Sequence, residues 1–204
     1  MLIKLYEEST NPKDIKTITE CFNDGGVVIY PTDTVYALGC DINSRSGIER
    51  VARIKKIKAE KADFSFVFYD LSHISEFTKQ FDTSTFKLLK RNLPGPFTFI
   101  LEANNSIPKL FKNKKKTLGI RVPDNVICRS IMNQLERPII STSIHDEDEV
   151  IEYTTDPELI YEKYQPLVDI VVDGGYGHNE ASTIVDLTSG EAEIIRQGIG
   201  ELIY

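Results

Sequence analysis

Residues 25–40 read GGVVIYPTDTVYALGC. Val27, Val28, Ile29 and Tyr30 form a short, largely β-branched apolar run between glycine and proline, the pattern of a buried strand. Gly25 and Gly26 close the helical pattern before it. Pro31 has no backbone N–H and breaks the ladder after it. Thr32, Asp33, Thr34 and Tyr36 then stand at the mouth of the strand, where open α/β sheets place their ligands.

Upstream, Leu2–Tyr6 alternates as a first strand. Asn11 is placed to cap a helix that begins at Pro12, a position where the missing donor is not needed. Ile15, Ile18, Cys21 and Phe22 share one face of that helix. Downstream, Ser46 and Glu49 have capping-box spacing. Ile48, Val51, Ile54 and Ile57 would be the apolar stripe of the next helix, whose other face carries Arg53, Lys55, Lys56 and Lys58. Strands are expected over 64–69, 97–101, 118–123, 138–143, 168–173, 182–187 and 192–196. Further helices are expected over 70–77, from Thr83 or Thr85 through Phe86, Leu89 and Leu93, over 125–135, and from Asp156-Pro157. The acidic stretch 145–152 reads as a loop or a helix edge. With no repeat and no dividing linker, the alternation predicts one α/β domain, a mixed sheet flanked by helices.

The chain has 204 residues and a formal net charge of −7, so it is not coated with nucleic-acid-binding charge, although a local basic cleft is compatible with that total. No apolar run approaches a membrane span, and the N-terminus lacks a signal peptide's apolar core. Cys21, Cys40 and Cys128 have no metal-ligand spacing and read as buried thiols of a cytoplasmic protein. His73, His145 and His178 lack zinc spacing. Gly174, Gly175 and Gly177 are not followed by the Lys-Ser/Thr of a phosphate loop, and nothing marks a covalent nucleophile triad. No metal site is expected.

From about residue 13 to 200 the chain resembles the YrdC/YciO superfamily, which includes the L-threonylcarbamoyladenylate synthases. PTDTVYALG stands where those proteins read PT(E/D)T.YGLG. PTDTVYALGC, LLKRNLPGPFTFIL and GIRVP resemble the YciO branch more than the synthase branch. The resemblance implies a YrdC-like domain over 8–200, a twisted sheet with a concave, positively charged surface. It also implies a substrate- or nucleotide-binding set of Thr32, Thr34, Lys58, Arg121, Ser141, Ser143, Thr183 and Arg196. On the residues alone, Thr32 and Thr34 serve either a ligand or a local turn, and Tyr36 either walls the pocket or fills core. Arg121 and Arg196 suit carboxylate or phosphate, or an internal ion pair.

Three positions depart from the family pattern. Ala37 replaces a glycine, Glu60 falls where the arginine of a Lys-x-Arg motif belongs, and His145 replaces the asparagine of a Ser-x-Asn pair. A carboxylate opposes a triphosphate, and imidazole cannot present an amide's paired donor and acceptor. Two functions are implied. One is an RNA- or nucleotide-binding protein that acts on threonylcarbamoyl groups in tRNA modification, using Arg53, Lys55, Lys56, Lys61, Lys112, Lys114, Lys115 and Lys116 against double-stranded RNA or tRNA. The other is an L-threonylcarbamoyladenylate synthase using ATP, bicarbonate and threonine, with Mg²⁺ arriving on ATP and no tightly bound cofactor. A homodimer is left open.

Overall fold

The computed structural model describes residues 1–108, 116–144 and 152–204, with the backbone alone at Lys61 and Glu152. Lys112, Lys114, Lys115, His145 and the acidic residues after it lie outside the described residues. In chain order come β1 (Leu2–Lys4), α1 (Pro12–Asn23), β2 (Val27–Tyr30), β3 (Ala37–Asp41), α2 (Arg45–Ile54) and β4 (Ser65–Val67). Then follow α3 (Thr83–Asn92), β5 (Phe97–Glu102), β6 (Thr117–Arg121), α4 (Val126–Leu135) and β7 (Ile139–Ser143). The chain ends with α5 (Glu152–Thr155), α6 (Pro157–Tyr164), β8 (Ile170–Asp173), β9 (Thr183–Asp186) and β10 (Glu193–Arg196). The strands form one ten-stranded mixed sheet in the order β1-β8-β2-β3-β7-β4-β6-β5-β9-β10. Among the described residues no helix is long and apolar enough to cross a membrane.

Side chains alternate across each strand, which divides the core in two. Val27 and Ile29, Leu38 and Cys40, Phe66, Phe99, Ile120, Ile140, Val171 and Val185 pack on one face with Ile48 and Val51 of α2, Leu89 of α3 and Ile160 of α6. On the opposite face Val28, Tyr30, Ala37, Val67, Ile139, Ile170 and Val172 pack against α1 and α4. Those two helices cover β8, β2, β3 and the ends of β7 and β4. Beyond them the same face continues over β4, β6, β5 and β9 with small or polar residues where core side chains would otherwise stand.

The helix caps show where local pattern yields to geometry. Asn11 caps α1 as expected, its Oδ1 accepting from the Lys13 N–H. The cap of α2 is Ser44, not Ser46. Its extended backbone (φ −82°, ψ 96°) lets its Oγ accept from the Gly47 N–H, while Ser46 already lies inside the first turn. Lys56 turns left-handed at φ 54°, so Ile57 leaves the helical stripe and is 44% exposed. Asp82, not a threonine, caps α3 by accepting from the Thr85 N–H at 2.7 Å, and the buried face is Thr85, Leu89 and Asn92, leaving Phe86 outside. The helix expected over 70–77 is a single 3₁₀ turn at Ile74–Glu76, because Asp70 closes its own turn on the Ser72 N–H. Cys40 and Cys128 are buried free thiols and Cys21 is half-buried. Burial raises all three, Cys21 to about 11 and Cys128 to about 12.

Candidate functional site

The turn between β2 and β3 spends its first hydroxyl on itself. Thr32 Oγ1 donates to the Val35 carbonyl at 2.8 Å and accepts from the Thr34 N–H at 3.1 Å, a side-chain-closed turn. That turn holds Asp33 and Thr34 toward the end of β6. There Arg121, only 7% exposed, donates through Nη2 to Asp33 Oδ1 at 3.1 Å and to Thr34 Oγ1 at 3.0 Å. The other oxygen of Asp33 accepts from the Asp124 N–H at 2.9 Å, tying the turn to the segment after β6. Burial pushes the Asp33 carboxyl above its ordinary range, and the opposing pull of Arg121 and of the Asp124 N–H is the smaller effect.

Beside this pair the uncovered half of the sheet forms a cavity of about 330 Å³. Its floor is a row of small residues laid side by side by register, Ser141 against Ser65 and Ser65 against Gly119. Thr98 and Ser182 stand next to the row with their hydroxyl oxygens 2.9 Å apart. Ser141 Oγ accepts from Tyr30 Oη at 2.7 Å, which fixes it from the packed side. Arg196 closes the wall, donating through Nη2 to the Ser182 carbonyl at 2.7 Å. Partial burial pushes its guanidinium below the ordinary range, and the nearby charge of Arg121 adds to the shift. Arg121 Nε is buried and has no hydrogen-bond partner among the described residues. The cavity therefore combines two fixed cations, one with an unspent buried donor, a set of hydroxyls, and apolar walls at Phe64, Ile100, Ile107 and Ile184. That set suits a ligand with an anionic end and a flat or aliphatic body.

Of the residues expected from the sequence, Thr34, Arg121, Ser141, Ser143 and Arg196 line this cavity. Thr32, Lys58 and Thr183 are not in its wall. Thr183 is fully buried and organises the C-terminal segment, its Oγ1 donating to the Gly200 carbonyl at 2.7 Å and accepting from the Gly198 N–H at 3.0 Å. Lys58 and Glu60 are exposed at the short 3₁₀ turn Ala59–Lys61, and Glu60 is near enough to Arg45 to add to the rise that Glu49 produces there. Arg53, Lys56 and Lys116 are exposed and Lys55 is half-buried. Tyr36 is core: its hydroxyl donates to the Gly175 carbonyl at 2.6 Å and accepts from the Gly174 N–H at 3.1 Å, with no exposed surface. Ala37 lies in extended β3 without a positive φ, so its methyl is accommodated. Ser65, Thr98 and Gly119 were not among the expected site residues, although Thr98 and Gly119 lie inside the LLKRNLPGPFTFIL and GIRVP segments. Their signal is a single small or polar residue set between large apolar ones: Ser65 between Phe64 and Phe66, Thr98 between Phe97 and Phe99, and Gly119 between Leu118 and Ile120.

Comparison with known proteins agrees with this geometry. A family model described as telomere recombination (Sua5, YciO, YrdC) matches residues 20–198. The chain is 36% identical over 201 residues to protein YciO of Escherichia coli strain K12, covering 97% of this chain and 96% of that one. The crystal structure of E. coli YciO superposes with a TM-score of 0.89, covering 98% and 97% of the two chains. A threonylcarbamoyl-AMP synthase of Coxiella burnetii (strain RSA 493 / Nine Mile phase I) is 26% identical over 180 residues, 88% of this chain and 95% of the relative. The fold is also that of Sua5 from P. abyssi, crystallised with L-threonine, at a TM-score of 0.87 and 23% identity over 97% of this chain and 57% of that one. One twisted mixed sheet with helices on its faces, a cavity on the uncovered half and these likenesses lead to one assignment: the chain belongs to the Sua5/YciO/YrdC family, on its YciO side.

Proposed function

We propose that this is a nucleotide-binding protein whose cavity takes ATP and L-threonine, with a role in threonylcarbamoyl transfer for tRNA modification. The observation that carries the reading is the buried, unpaired Nε of Arg121 on a wall shared with Arg196. A buried guanidinium donor without a partner is costly unless a ligand supplies one, and a carboxylate or phosphate oxygen is the acceptor that fits. The Coxiella relative named a threonylcarbamoyl-AMP synthase and the L-threonine held by P. abyssi Sua5 support the choice of ligands. In that chemistry a carbamate of threonine attacks the α-phosphate of ATP and pyrophosphate leaves. This chain's part would be orientation and charge stabilisation. Arg121 holds one anionic group, Arg196 another, and the Ser141, Ser143 and Thr98 hydroxyls bond to the ligand's polar edges. Asp63 is the one carboxylate of the wall among the described residues, so magnesium accompanying ATP would rest mainly on its phosphates.

Glu60 and His145 stand where the synthases carry arginine and asparagine, so synthesis is expected to be slow. Calorimetric titration with ATP and threonine tests binding. Incubation with Mg²⁺, bicarbonate, ATP and threonine, with adenylate and pyrophosphate measured together, tests turnover. We expect both ligands to bind, Arg196→Ala to weaken ATP by about tenfold through loss of a charge-assisted contact, and adenylate output to rise when Glu60→Arg is combined with His145→Asn. Failure of the wild type to bind either ligand at millimolar concentration overturns the reading. A second reading, contact with double-stranded RNA, is favoured by the exposed Arg53, Lys56 and Lys58 at the end of α2 and beyond it.

A further inference from the structure

β10 is the last strand of the sheet and pairs with β9 alone. All four of its residues, Glu193-Ile194-Ile195-Arg196, are exposed, so among the described residues its outer row of backbone donors and acceptors faces solvent. Exposed edges of this kind are ordinarily blunted by charged side chains, lysine above all, by proline, by bulges or by extreme shortness. The opposite edge follows that rule. β1 has three residues, ends in Lys4, and that lysine is held by Asp173 at 3.6 Å. β10 carries the charged Glu193 and Arg196 and one bulge, but neither lysine nor proline. Large apolar residues are exposed along it and just beyond, with Ile194 at 41%, Ile195 at 53% and Ile199 at 38%.

The irregularity of β10 decides what it can pair with. Glu193 opposes Asp186 and Ile194 opposes Val185, but Arg196 opposes Ile184, so one extra residue, Ile195, is inserted between them. Arg196 and Ile184 face the cavity, and Val185 faces the core on the other side. Alternation then puts Glu193 with Arg196 on the cavity face, while the bulge turns Ile194 and Ile195 together toward the opposite face. A strict two-residue alternation would have placed Glu193 and Arg196 on opposite faces.

We propose that β10 is a homodimer interface, pairing antiparallel with β10 of a second copy about a two-fold axis between Ile194 and Ile195. The EIIR segment is self-complementary in that arrangement. Glu193 of each copy meets Arg196 of the other on the cavity face, and the two Ile194-Ile195 pairs meet on the opposite face. An isologous contact requires such self-complementarity, and opposite charges directly across a strand pair stabilise it whereas like charges destabilise it. The two sheets become one continuous sheet, and each copy's Glu193 is brought to the rim of the other's cavity beside Arg196.

Sedimentation equilibrium on the full chain tests this with two charge reversals, Glu193→Arg and Arg196→Glu. The wild type is expected to dimerise. Each variant alone is expected to self-associate at least about tenfold more weakly, since symmetry repeats the like-charge pair twice. An equimolar mixture of the two variants is expected to form a heterodimer, because both cross-strand pairs are again of opposite sign. Circular dichroism confirms that each variant is folded before the comparison. A wild type that stays monomeric to millimolar concentration, or folded variants whose mixture associates no better than either alone, overturns the proposal.

Discussion

Replacing Arg121 by methionine leaves Asp33 with one hydrogen-bond donor, the Asp124 N–H, in a place where both side chains of the pair are less than a tenth exposed. Removing one partner of a buried ion pair costs roughly 3–5 kcal/mol, because the surviving charge is uncompensated. The cost depends on that charge existing. Burial already raises the Asp33 carboxyl above its ordinary range with Arg121 present, and loss of the guanidinium raises it further. A carboxyl whose pKa is higher folded than unfolded binds more protons in the native state, so its contribution to stability is present at acid pH and lost as pH rises through the folded value. Arg121→Met is therefore expected to be destabilised by about 1–2 kcal/mol near pH 4.5, the value of the lost hydrogen bonds. Near pH 7.5 the loss is expected to approach the roughly 3–5 kcal/mol of a broken buried pair. Urea unfolding of wild type and variant at the two pH values, followed by circular dichroism, measures the difference. Asp33→Asn with Arg121→Met removes both charges and should recover most of the neutral-pH loss. A penalty that is the same at both pH values, or a double variant no more stable than the single one, would refute the assignment of Asp33 and Arg121 as a buried, mutually dependent pair.

Gly39→Ala should destabilise by about 2 kcal/mol in the same unfolding assay, because a methyl would sit 2.7 Å from the Ile140 carbonyl oxygen and backbone cannot move aside as a side chain can. Gly119→Val is expected to behave differently: the neighbours of its Cβ are Ser65 Oγ and Thr98 Cγ2 at 3.2 Å, so stability should fall by only about 1 kcal/mol while calorimetry shows ATP binding reduced at least about tenfold by the filled floor. Binding of double-stranded RNA, followed by anisotropy across salt concentrations, should weaken with a log–log slope of roughly −3 if Arg53, Lys56 and Lys58 each neutralise a phosphate. Lys58→Glu should make that slope shallower by about one, and a slope of zero would remove the electrostatic account.

Much of the cavity's framework was legible in local sequence. The run Val27–Tyr30 is a strand because four consecutive apolar residues between glycine and proline can be satisfied only when both faces are buried, and it proved to be covered on both. Asn11-Pro12 and Asn125 announce helix starts because their side chains or rings meet needs that arise within three residues. β3 was not legible. Ala37–Asp41 contains glycine and alanine, lacks clean alternation, and becomes a fully buried strand only because β2 and β7 hold it from either side. Family motifs pointed to Thr34, Arg121, Ser141, Ser143 and Arg196, but they also pointed to Thr32, Lys58 and Thr183, and nothing local separates a hydroxyl that faces the cavity from one that closes a turn.

The sequence by itself determined most strand and helix types and their order, β3 and the 70–77 segment excepted, and the presence of two arginines and several hydroxyls near strand ends, since these follow from periodicity and from chemistry within a few residues. Tertiary structure decided which of those groups share one space. It spent Thr32 on the Val35 carbonyl and Thr183 on the Gly200 carbonyl, left Lys58 on the surface, and added Ser65, Thr98 and Gly119 to the cavity. The physical reason is that direction in a sheet is set by register with neighbouring strands, and that α1 and α4 stop short of half of one face. Pairing of β6 with β5, β5 with β9 and β9 with β10 brings Arg121 and Arg196, distant in the chain, against one cavity, a juxtaposition no short window of sequence contains.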